Sequence, residues 1–467
     1  MKIKPFLNDD FLLENSISQQ LYHDFAKKQP IIDYHSHVSD ADIANNRKYE
    51  NLTQVWLESD SSKWRAMRTF GISENYITGE ASDFEKFEKW AKTVPYTIRN
   101  PLYHWTQMEL KIFLSEEKML NSNNAEKIFH DTAAKLSNDN LAARNILKNA
   151  NVEVAVTTDD PSSDLKNHQK IKNDDCSFKL LPTFRPDNSI HIEKSSFVNY
   201  ITQLSEAKNT SILNFSDLLS ILKNCIDYFH ENGCRISDHG LEHCYANKLS
   251  FSVSDNTFKK RIAGEKISKE EIEIYKSTLL YELGKMYASK NWVMQLHLGA
   301  MRNTNSRLFK LLGNDAGSDS IGDFNQGLSL SIFLNRLDTE DKLPKTIIYN
   351  LNPTDNELIA SMVGNFNDGS IKGKVQFGAA WWFMDQKDGI EKQLNTLSNI
   401  GLLSCFVGML SDSRSLFSYA RHDYFRRILC NLIGKDVCNG ELPNDISFLG
   451  DIVNDISYFN AKNYFKF

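Results

Sequence analysis

Two histidines, His35 and His37, follow a short apolar run at residues 30–34, PIIDY. Side chains two residues apart on a strand point to the same face, so both imidazoles would project together. Imidazole nitrogens are common ligands of zinc-like cations, which take their remaining ligands from elsewhere in the fold. The pair therefore predicts a metal site at the end of a strand, although histidines at strand ends also serve as ordinary hydrogen-bonding residues.

The elements that must position this pair can be read from the hydrophobic pattern. Eight short apolar runs cover residues 30–35, 152–158, 178–184, 233–238, 291–298, 346–351, 375–382 and 402–410. Several are almost continuously apolar, which is typical of strands buried on both faces of a parallel sheet. Stretches with helical spacing lie between them, at 194–207, 213–231 and 387–400. Eight strands that alternate with helices predict an α/β fold, the (β/α)8 TIM-type barrel.

Two connections are too long for simple crossovers. Residues 39–150 contain several helical stretches, and residues 242–290 contain a charged segment at 266–290 that predicts one long helix. We expect 39–150 to form a helical insertion after the first strand. The whole chain, 1–467, would then be a single barrel domain.

Composition excludes several classes of function. The 467 residues are 41% hydrophobic and 24% charged, enough for a large core, and the net charge of −6 offers no basic surface for nucleic acid. No stretch of about 18 apolar residues predicts a membrane span. The acidic N-terminal segment does not resemble a secretory signal, and the seven cysteines form no C-x-x-C pair. We expect a cytoplasmic protein that acts on a small molecule, without a nucleic-acid or membrane partner, and a homo-oligomer is left open.

In a barrel of this kind the active site lies at the carboxyl ends of the strands. The residues expected at that edge, in chain order, are His35, His37, Arg185, Asp238, His239, His297, Arg302, Trp381, Trp382, Asp412 and Arg414. Such a collection of histidines, carboxylates and guanidinium groups could bind a metal ion and an anion.

Each of these residues also has a purely structural interpretation. A single histidine such as His239 or His297 is often a buried hydrogen-bonding residue. Arg185 could pair with a nearby carboxylate, and Asp412 could form a local ion pair with Arg414 that caps the following helix. Trp381 and its neighbour would ordinarily be packing residues.

Longer segments carry a resemblance to a known family. These are DYHSH (33–37), NPLYHWTQMEL (100–110), KLLPTFRPD (179–187), GCRISDHGL (233–241), QLHLGAMRNTNSR (295–307) and FVGMLSDSRSLFSYARHDYFRRILCNLIG (406–434). They resemble uronate isomerases, which belong to the amidohydrolase superfamily. The resemblance extends over almost the whole chain.

The resemblance implies a barrel that holds one divalent metal ion, usually zinc, and interconverts D-glucuronate with D-fructuronate and D-galacturonate with D-tagaturonate. The implied metal ligands are His35, His37 and Asp412. Residues implied or expected at the substrate end are Arg185, Arg302, Arg414, His239 and His297. We predict that Asp412 and His297 are the catalytic residues, with Asp412 as the base.

This reaction agrees with what the residue types can do. Conversion of an aldose to a ketose moves a proton from C2 to C1 through an enediolate, so it needs a base and stabilisation of a developing oxyanion. A metal ion held by two imidazoles and one carboxylate stays positively charged and keeps open positions for substrate oxygens. A guanidinium group can bind the substrate's C6 carboxylate through two hydrogen bonds.

The chain departs from the family pattern at one important place. Residues 56–68 read WLESDSSKWRAMR, so Ser61 and Ser62 stand where the pattern has a His-Tyr pair. That pair is associated with substrate contact and proton handling, and a serine hydroxyl is a far poorer acid or base near neutral pH. Gln107 and Met384 also replace an expected His and Asn.

Three interpretations follow from this departure: another group replaces the pair, the substrate differs, or the isomerase is slow. The alternatives to a hexuronate isomerase are a hydrolase or lyase acting on another acidic sugar, and a weakly active homologue that binds a uronate.

Overall fold

The computed structural model describes residues 4–467. Nine strands occur in this range, and they are numbered here in chain order. They are β1 (Ile31–Asp33), β2 (Val152–Val156), β3 (Lys179–Leu181), β4 (Ile236–Leu241), β5 (Val293–Leu298), β6 (Ala300–Met301), β7 (Ser320–Ile321), β8 (Lys345–Asn350) and β9 (Val375–Phe377). β6 and β7 form a small antiparallel ribbon, and the other seven strands are parallel to their neighbours.

The seven parallel strands follow each other around a (β/α)8 barrel. Their order is β1-β2-β3 in one sheet and β4-β5-β8-β9 in the other. Phe184 joins the two sheets, since it bridges to Asp159 on one side and Ser237 on the other. Every residue of β5 and β8 is buried. The sequence prediction of strands buried on both faces is therefore confirmed for these two.

The eighth predicted strand, 402–410, has a different structure. A 3-10 turn covers Leu403–Cys405, and the residues after it form no strand ladder. Gly408 and Asp412 have φ values of +83° and +47°, so the segment cannot keep the regular extended backbone that a ladder requires. It still completes the barrel beside β1, because the Asp412 amide donates to the His35 carbonyl at 3.2 Å and the His37 amide donates to the Ser413 carbonyl at 2.9 Å.

Helices fill the connections between the strands. The α-helices are Ser16–Gln20, Asp40–Ala44, Leu52–Trp56, Ser61–Thr69, Asp83–Thr93, Pro101–Leu114, Ala125–Leu136, Ala143–Asn149, Lys166–Asn173, Asp187–Ile190, Phe197–Ala207, Phe215–Glu231, Phe251–Ile262, Lys269–Ser289, Ser306–Leu312, Gly327–Thr339, Asn356–Gly364, Lys387–Ile400, Ala420–Cys438, Ile446–Asn454 and Asn460–Phe465. Short 3-10 and π-helical turns occur between and beside them.

The helices predicted from hydrophobic spacing are confirmed. Helix 387–400 has the predicted limits, and the other two begin two or three residues late, at Phe197 and Phe215. The long charged helix runs from Lys269 to Ser289. Its start is fixed by a capping box in which Ser268 and Glu271 satisfy each other's backbone amides.

The predicted insertion at 39–150 is helical, and it forms one wall of the site. Seven α-helices and no strand lie between β1 and β2 in the structure as described. The insertion packs on helix 420–438 and the turn before it, through Trp105 against Tyr424 and Phe113 against Phe417. That the whole chain is one domain remains a prediction. Across residues 4–467, no helix is both long enough and apolar enough to cross a membrane.

Candidate metal centre and active site

A cavity of about 520 Å³ opens where the parallel strands end. Predicted site residues on its wall are His35, His37, Arg185, His297, Arg302, Asp412 and Arg414. Of the residues that the sequence places at this edge, Asp238 and His239 are absent from the wall. The barrel therefore brings together side chains that are almost four hundred residues apart in the chain.

The centre of the site is the group His35, His37 and Asp412. The Nε2 atoms of both histidines lie 3.2 Å from Oδ1 of Asp412. Asp33 positions the segment that carries Asp412, because its carboxylate accepts hydrogen bonds from the Ser411 amide at 2.7 Å and the Ser411 hydroxyl at 2.6 Å. The end of β1 and the irregular eighth segment are thus joined directly below the three candidate ligands.

These three residues fit a divalent cation. A tetrahedral ion with ligand bonds of about 2.0–2.1 Å places neighbouring ligand atoms about 3.3–3.4 Å apart. The two observed separations of 3.2 Å are close to that value, and all three ligand atoms lie within 4.8 Å of one another. Beside them, Nδ1 of His35 and Nε2 of His297 are buried without a hydrogen-bond partner among the described residues. Buried polar atoms without partners are uncommon, and Nε2 of His297 is the one of these two that can meet a group in the cavity, since Nδ1 of His35 faces Asp238 at 3.9 Å.

The charges around the three ligands also suit a cation. Burial lowers the pKa of His37 to about 4, despite the opposing effect of Asp412. Burial opposes ionisation of Asp412, but hydrogen bonds from His35 and His37 hold its pKa well below the ordinary range. Burial would lower the pKa of His35, yet the carboxylates of Asp238 and Asp412 raise it. At neutral pH Asp412 is therefore an anion and His37 a neutral imidazole, which are the forms that bind metal ions.

Asp238 was expected at this edge from the sequence, but no role was predicted for it. It is fully buried, and its Oδ1 lies 2.6 Å from Nδ1 of His297 while its Oδ2 lies 3.9 Å from Nδ1 of His35. Oδ2 also lies 3.1 Å from Nη1 of Arg185, whose charge keeps the pKa of Asp238 well below its usual range against the effect of burial. Asp238 thus orients His297 and compensates the charge of Arg185.

His239, which was predicted to bind substrate, does not line this cavity, and its role in binding stays a prediction. β4 extends to Leu241, and successive side chains on a strand alternate between faces. Because Asp238 points into the barrel, His239 points outward, where its ring packs on Tyr287 at a centroid distance of 5.7 Å. Because the strand was predicted to end at residue 238, His239 was not recognised as the next residue of the same strand, whose side chain points to the opposite face.

Arg185 is held rigidly at the cavity wall. Its Nε donates to Oδ2 of Asp187 at 2.8 Å, and the Gly240 amide donates to the same oxygen at 2.9 Å. A Cβ on Gly240 would lie 2.3 Å from Nη2 of Arg185, so only glycine leaves room for the guanidinium group. Arg185 therefore pairs with carboxylates, as its structural interpretation expects, and also faces the cavity.

The two other predicted arginines lie at the cavity mouth. Nη1 of Arg302 donates to Oδ2 of Asp319 at 3.0 Å, and its guanidinium group lies over the Trp382 ring at 4.7 Å. Nη2 of Arg414 donates to Oδ2 of Asp315 at 3.1 Å. Trp382 thus stacks on Arg302, a candidate substrate-binding residue.

A family model described as glucuronate isomerase matches residues 3–465. The chain belongs to the glucuronate isomerase family. It is 51% identical over 467 residues to the uronate isomerase of Flavobacterium johnsoniae, covering 100% of both chains, and 51% identical over 463 residues to that of Caldanaerobacter subterraneus, covering 99% of both. The crystal structure of uronate isomerase from Thermotoga maritima has a TM-score of 0.94 and 34% identity, with coverage of 99% of this chain and 100% of that one.

Because the chain belongs to the glucuronate isomerase family, it matters where the two serines that depart from the family pattern lie. Ser61 and Ser62 begin helix Ser61–Thr69, and both line the cavity. Asp60 caps this helix by accepting hydrogen bonds from the amides of Ser62 and Lys63 at 2.9 and 3.2 Å. At the other two departures, neither Gln107 nor Met384 lines this cavity. The serine pair is therefore the departure that reaches the site.

Asp385 is a further acidic group on the cavity wall that the sequence did not single out. Its Oδ2 accepts a hydrogen bond from Nη1 of Arg421 at 3.2 Å. Burial raises the pKa of Asp385 to about 7; Arg421 lowers it in part, while Asp412 and Asp60 raise it. The carboxyl group of Asp385 therefore titrates near neutral pH. It does so in a chain that lacks the His-Tyr pair of its family.

This raised pKa predicts a pH-dependent effect of Asp385→Asn on stability. Between about pH 4 and 7 the folded protein binds a proton at Asp385 that the unfolded chain has lost, so the native residue makes unfolding easier as pH rises through this window. Asparagine carries no such proton. The free energy of unfolding of Asp385→Asn, measured relative to that of the native protein, should therefore be higher at pH 8 than at pH 5 by about 2–3 kcal/mol.

Thermal unfolding at the two pH values measures this difference. The matched control is Asp388→Asn, on the exposed first turn of helix Lys387–Ile400, which should show no such pH dependence. Equal shifts for both variants at both pH values would contradict the raised pKa.

Proposed function

We propose that this protein is a metal-dependent uronate isomerase that interconverts D-glucuronate with D-fructuronate and D-galacturonate with D-tagaturonate. The observation that carries the proposal is that His35, His37 and Asp412 line the same cavity as the guanidinium groups of Arg302 and Arg414. A metal ligand set and arginines in one cavity match a sugar with a carbonyl at C1 and a carboxylate at C6.

We propose zinc as the metal ion, because two imidazoles and one carboxylate are a ligand set that zinc accepts with positions left open. When bound, the ion would supply positive charge to polarise the substrate oxygens near C1 and C2. Its ligands in this chain would be His35, His37 and Asp412.

Asp412 is our proposed base for the proton transfer. Its carboxylate is ionised at neutral pH, which leaves it able to take the proton from C2 and return it to C1. Because Oδ1 of Asp412 is shared by both histidines, Oδ2 is the atom that we expect to face the substrate.

His297 is our second proposed catalytic residue. Nδ1 of His297 lies 2.6 Å from the ionised carboxylate of Asp238, which fixes the proton on that nitrogen. Burial lowers the pKa of His297, so the ring is neutral and its free Nε2 can accept a proton from a substrate hydroxyl. The ring is held in place by stacking on Tyr349 at 4.2 Å and by Trp381 at 4.6 Å.

The test is to incubate the purified protein with D-glucuronate, with and without added zinc, and to follow ketose formation. We expect ketose only when metal is bound, and likewise with D-galacturonate. Absence of ketose at full metal occupancy would contradict the isomerase. A rise in melting temperature with D-glucuronate but no turnover would instead identify a weakly active homologue that binds the sugar.

Substrate anchoring by arginine gives a separate prediction. Arg302→Met removes a guanidinium group that would bind the substrate carboxylate, and charge-assisted hydrogen bonds are worth about 1.5–3 kcal/mol. The KM for D-glucuronate should therefore rise by about 10- to 100-fold, with a smaller change in kcat. Arg307→Met, on the neighbouring helix Ser306–Leu312 and away from the cavity wall, is the control and should leave both constants unchanged. A loss of kcat at unchanged KM would contradict this role.

We also propose a cytoplasmic location. Its support is that all seven cysteines are free thiols, the state that a reducing compartment maintains.

A further inference from the structure

A loop at residues 313–319 places a carboxylate against the two arginines at the cavity mouth. Oδ2 of Asp315 lies 3.1 Å from Nη2 of Arg414, and Oδ1 of Asp315 lies 3.8 Å from Nη1 of Arg302. The side chain of Asp315 is 54% exposed, and these two arginines are its ion-pair partners in the structure as described. The same two guanidinium groups are the ones proposed above to bind the carboxylate of the substrate.

The backbone of this loop is fixed to the helical insertion. Nη1 of Arg65 donates to the Asp319 carbonyl at 2.8 Å, and Nη1 of Arg68 donates to the Ala316 carbonyl at 2.5 Å. Gly317 has φ +80°, and a Cβ there would lie 2.9 Å from the Ser61 carbonyl oxygen. The loop therefore lies directly on helix Ser61–Thr69, and these contacts fix the backbone that carries Asp315.

The two acidic residues of the loop have different roles. Asp319 is buried, and its two oxygens accept from Nη1 of Arg302 at 3.0 Å and from the Asn303 amide at 2.7 Å. It holds Arg302 in place from within the protein. Asp315 is exposed, approaches the guanidinium groups from the cavity side of the loop, and makes no bond that fixes the local fold.

We propose that Asp315 is a specificity-determining residue: its carboxylate occupies the guanidinium groups of Arg302 and Arg414 until the carboxylate of the substrate replaces it. This inference rests on the proposed function. A sugar acid brings its own carboxylate and restores both ion pairs, whereas a neutral sugar that displaced Asp315 would leave Arg302 paired with Asp319 alone and Arg414 without its ion-pair partner. Because exposed ion pairs are weak, the exchange costs little for the proper substrate.

The test is the variant Asp315→Asn, which removes the charge and keeps the shape. Asp315 has φ +57°, a conformation that asparagine also tolerates, so the loop should keep its course. We expect the KM for D-glucuronate to fall by about three- to tenfold, because the substrate no longer competes with two exposed ion pairs. The value of kcat should stay within about twofold, since Asp315 does not touch the reacting carbons.

A matched control is Asp341→Asn, which also lies in an exposed turn with φ +54° and should change neither constant. A KM that stays the same or rises in Asp315→Asn would overturn the proposal, and a rise would mean that Asp315 only positions Arg414.

Binding measured without turnover separates this inference from the proposed function. The probes are D-glucuronate and the neutral D-glucose, each titrated calorimetrically into the metal-loaded protein. Tighter binding of D-glucuronate to Asp315→Asn, with no binding of D-glucose to either protein, supports the inference even if no ketose is formed. Equal affinity of the variant and the native protein for D-glucuronate would overturn it even if ketose is formed, and no binding to either would overturn both.

Discussion

Asp412→Asn is expected to lose both the bound metal ion and the isomerase activity. Oδ1 of Asp412 is the atom that both His35 and His37 approach, so this carboxylate is the geometric centre of the ligand set. An amide is a much poorer ligand for zinc than a carboxylate and cannot act as a base near neutral pH. General-base catalysis alone contributes about 10²–10⁴-fold, so we expect kcat/KM to fall by about 10³-fold or more.

Metal content and ketose formation should be measured on the same protein samples. Saturation with added zinc separates the two losses, because metal can then be restored while the base stays absent. Asp451→Asn, on the exposed side of helix Ile446–Asn454, is the control and should keep both metal and activity. If Asp412→Asn kept metal and turnover, the assignment of this residue as ligand and base would be wrong.

The convergence of His35 and His37 could be predicted from sequence because it follows from rules of strand geometry. His35 and His37 share a face after a short strand, and parallel barrel strands bring their carboxyl ends to one edge. Asp412 was added as a ligand by the resemblance to the family, and it follows the last apolar run, which forms no strand ladder. Its place depends on a few specific hydrogen bonds to β1, which hold whether or not the backbone between 406 and 412 is regular.

Other parts of the site depend on strand limits, loop courses and tertiary contacts that the hydrophobic pattern of the sequence does not contain. The inward direction of Asp238 follows from the exact limits of β4, and a limit misplaced by three residues obscured it. The contact of Asp315 with Arg414 joins residues 99 apart through a loop whose course no periodicity predicts. The raised pKa of Asp385 arises from burial beside Asp412 and Asp60, which come from distant parts of the chain. These are tertiary effects, and they needed the structure.

The cavity wall keeps the charged residues that the family resemblance implies but not the His-Tyr pair. The ligand set and all three predicted arginines are in place around the cavity, so sugar binding and metal binding should be retained. The serine pair on the same wall offers no group that ionises near neutral pH. We therefore expect a native enzyme that binds its substrate normally and turns it over slowly.

Restoring the family residues should test that expectation directly. The double variant Ser61→His and Ser62→Tyr should raise kcat by about 10- to 100-fold, in the lower part of the range that general acid–base catalysis supplies. KM should change little, because the arginines that hold the carboxylate are untouched. The pH profile of kcat should also gain a new dependence near the pKa of the added imidazole.

The local structure allows these substitutions. The helix start at Asp60 depends on backbone amides of Ser62 and Lys63, and neither serine hydroxyl makes a hydrogen bond in the structure as described. Larger side chains at these positions would extend into the cavity, which is about 520 Å³ in volume. The helix should therefore form as before, and the change should be confined to the cavity.

The control is the double variant Ser61→Ala and Ser62→Ala, which should keep native kcat and KM within about twofold if the hydroxyls do no chemistry. Two results would contradict the argument: a His-Tyr variant that is correctly folded, metal-loaded and no faster, or an alanine variant that loses activity. The second would mean that the serine hydroxyls themselves contact the substrate. In that case the departure from the family pattern would be an adaptation of the site and not a loss.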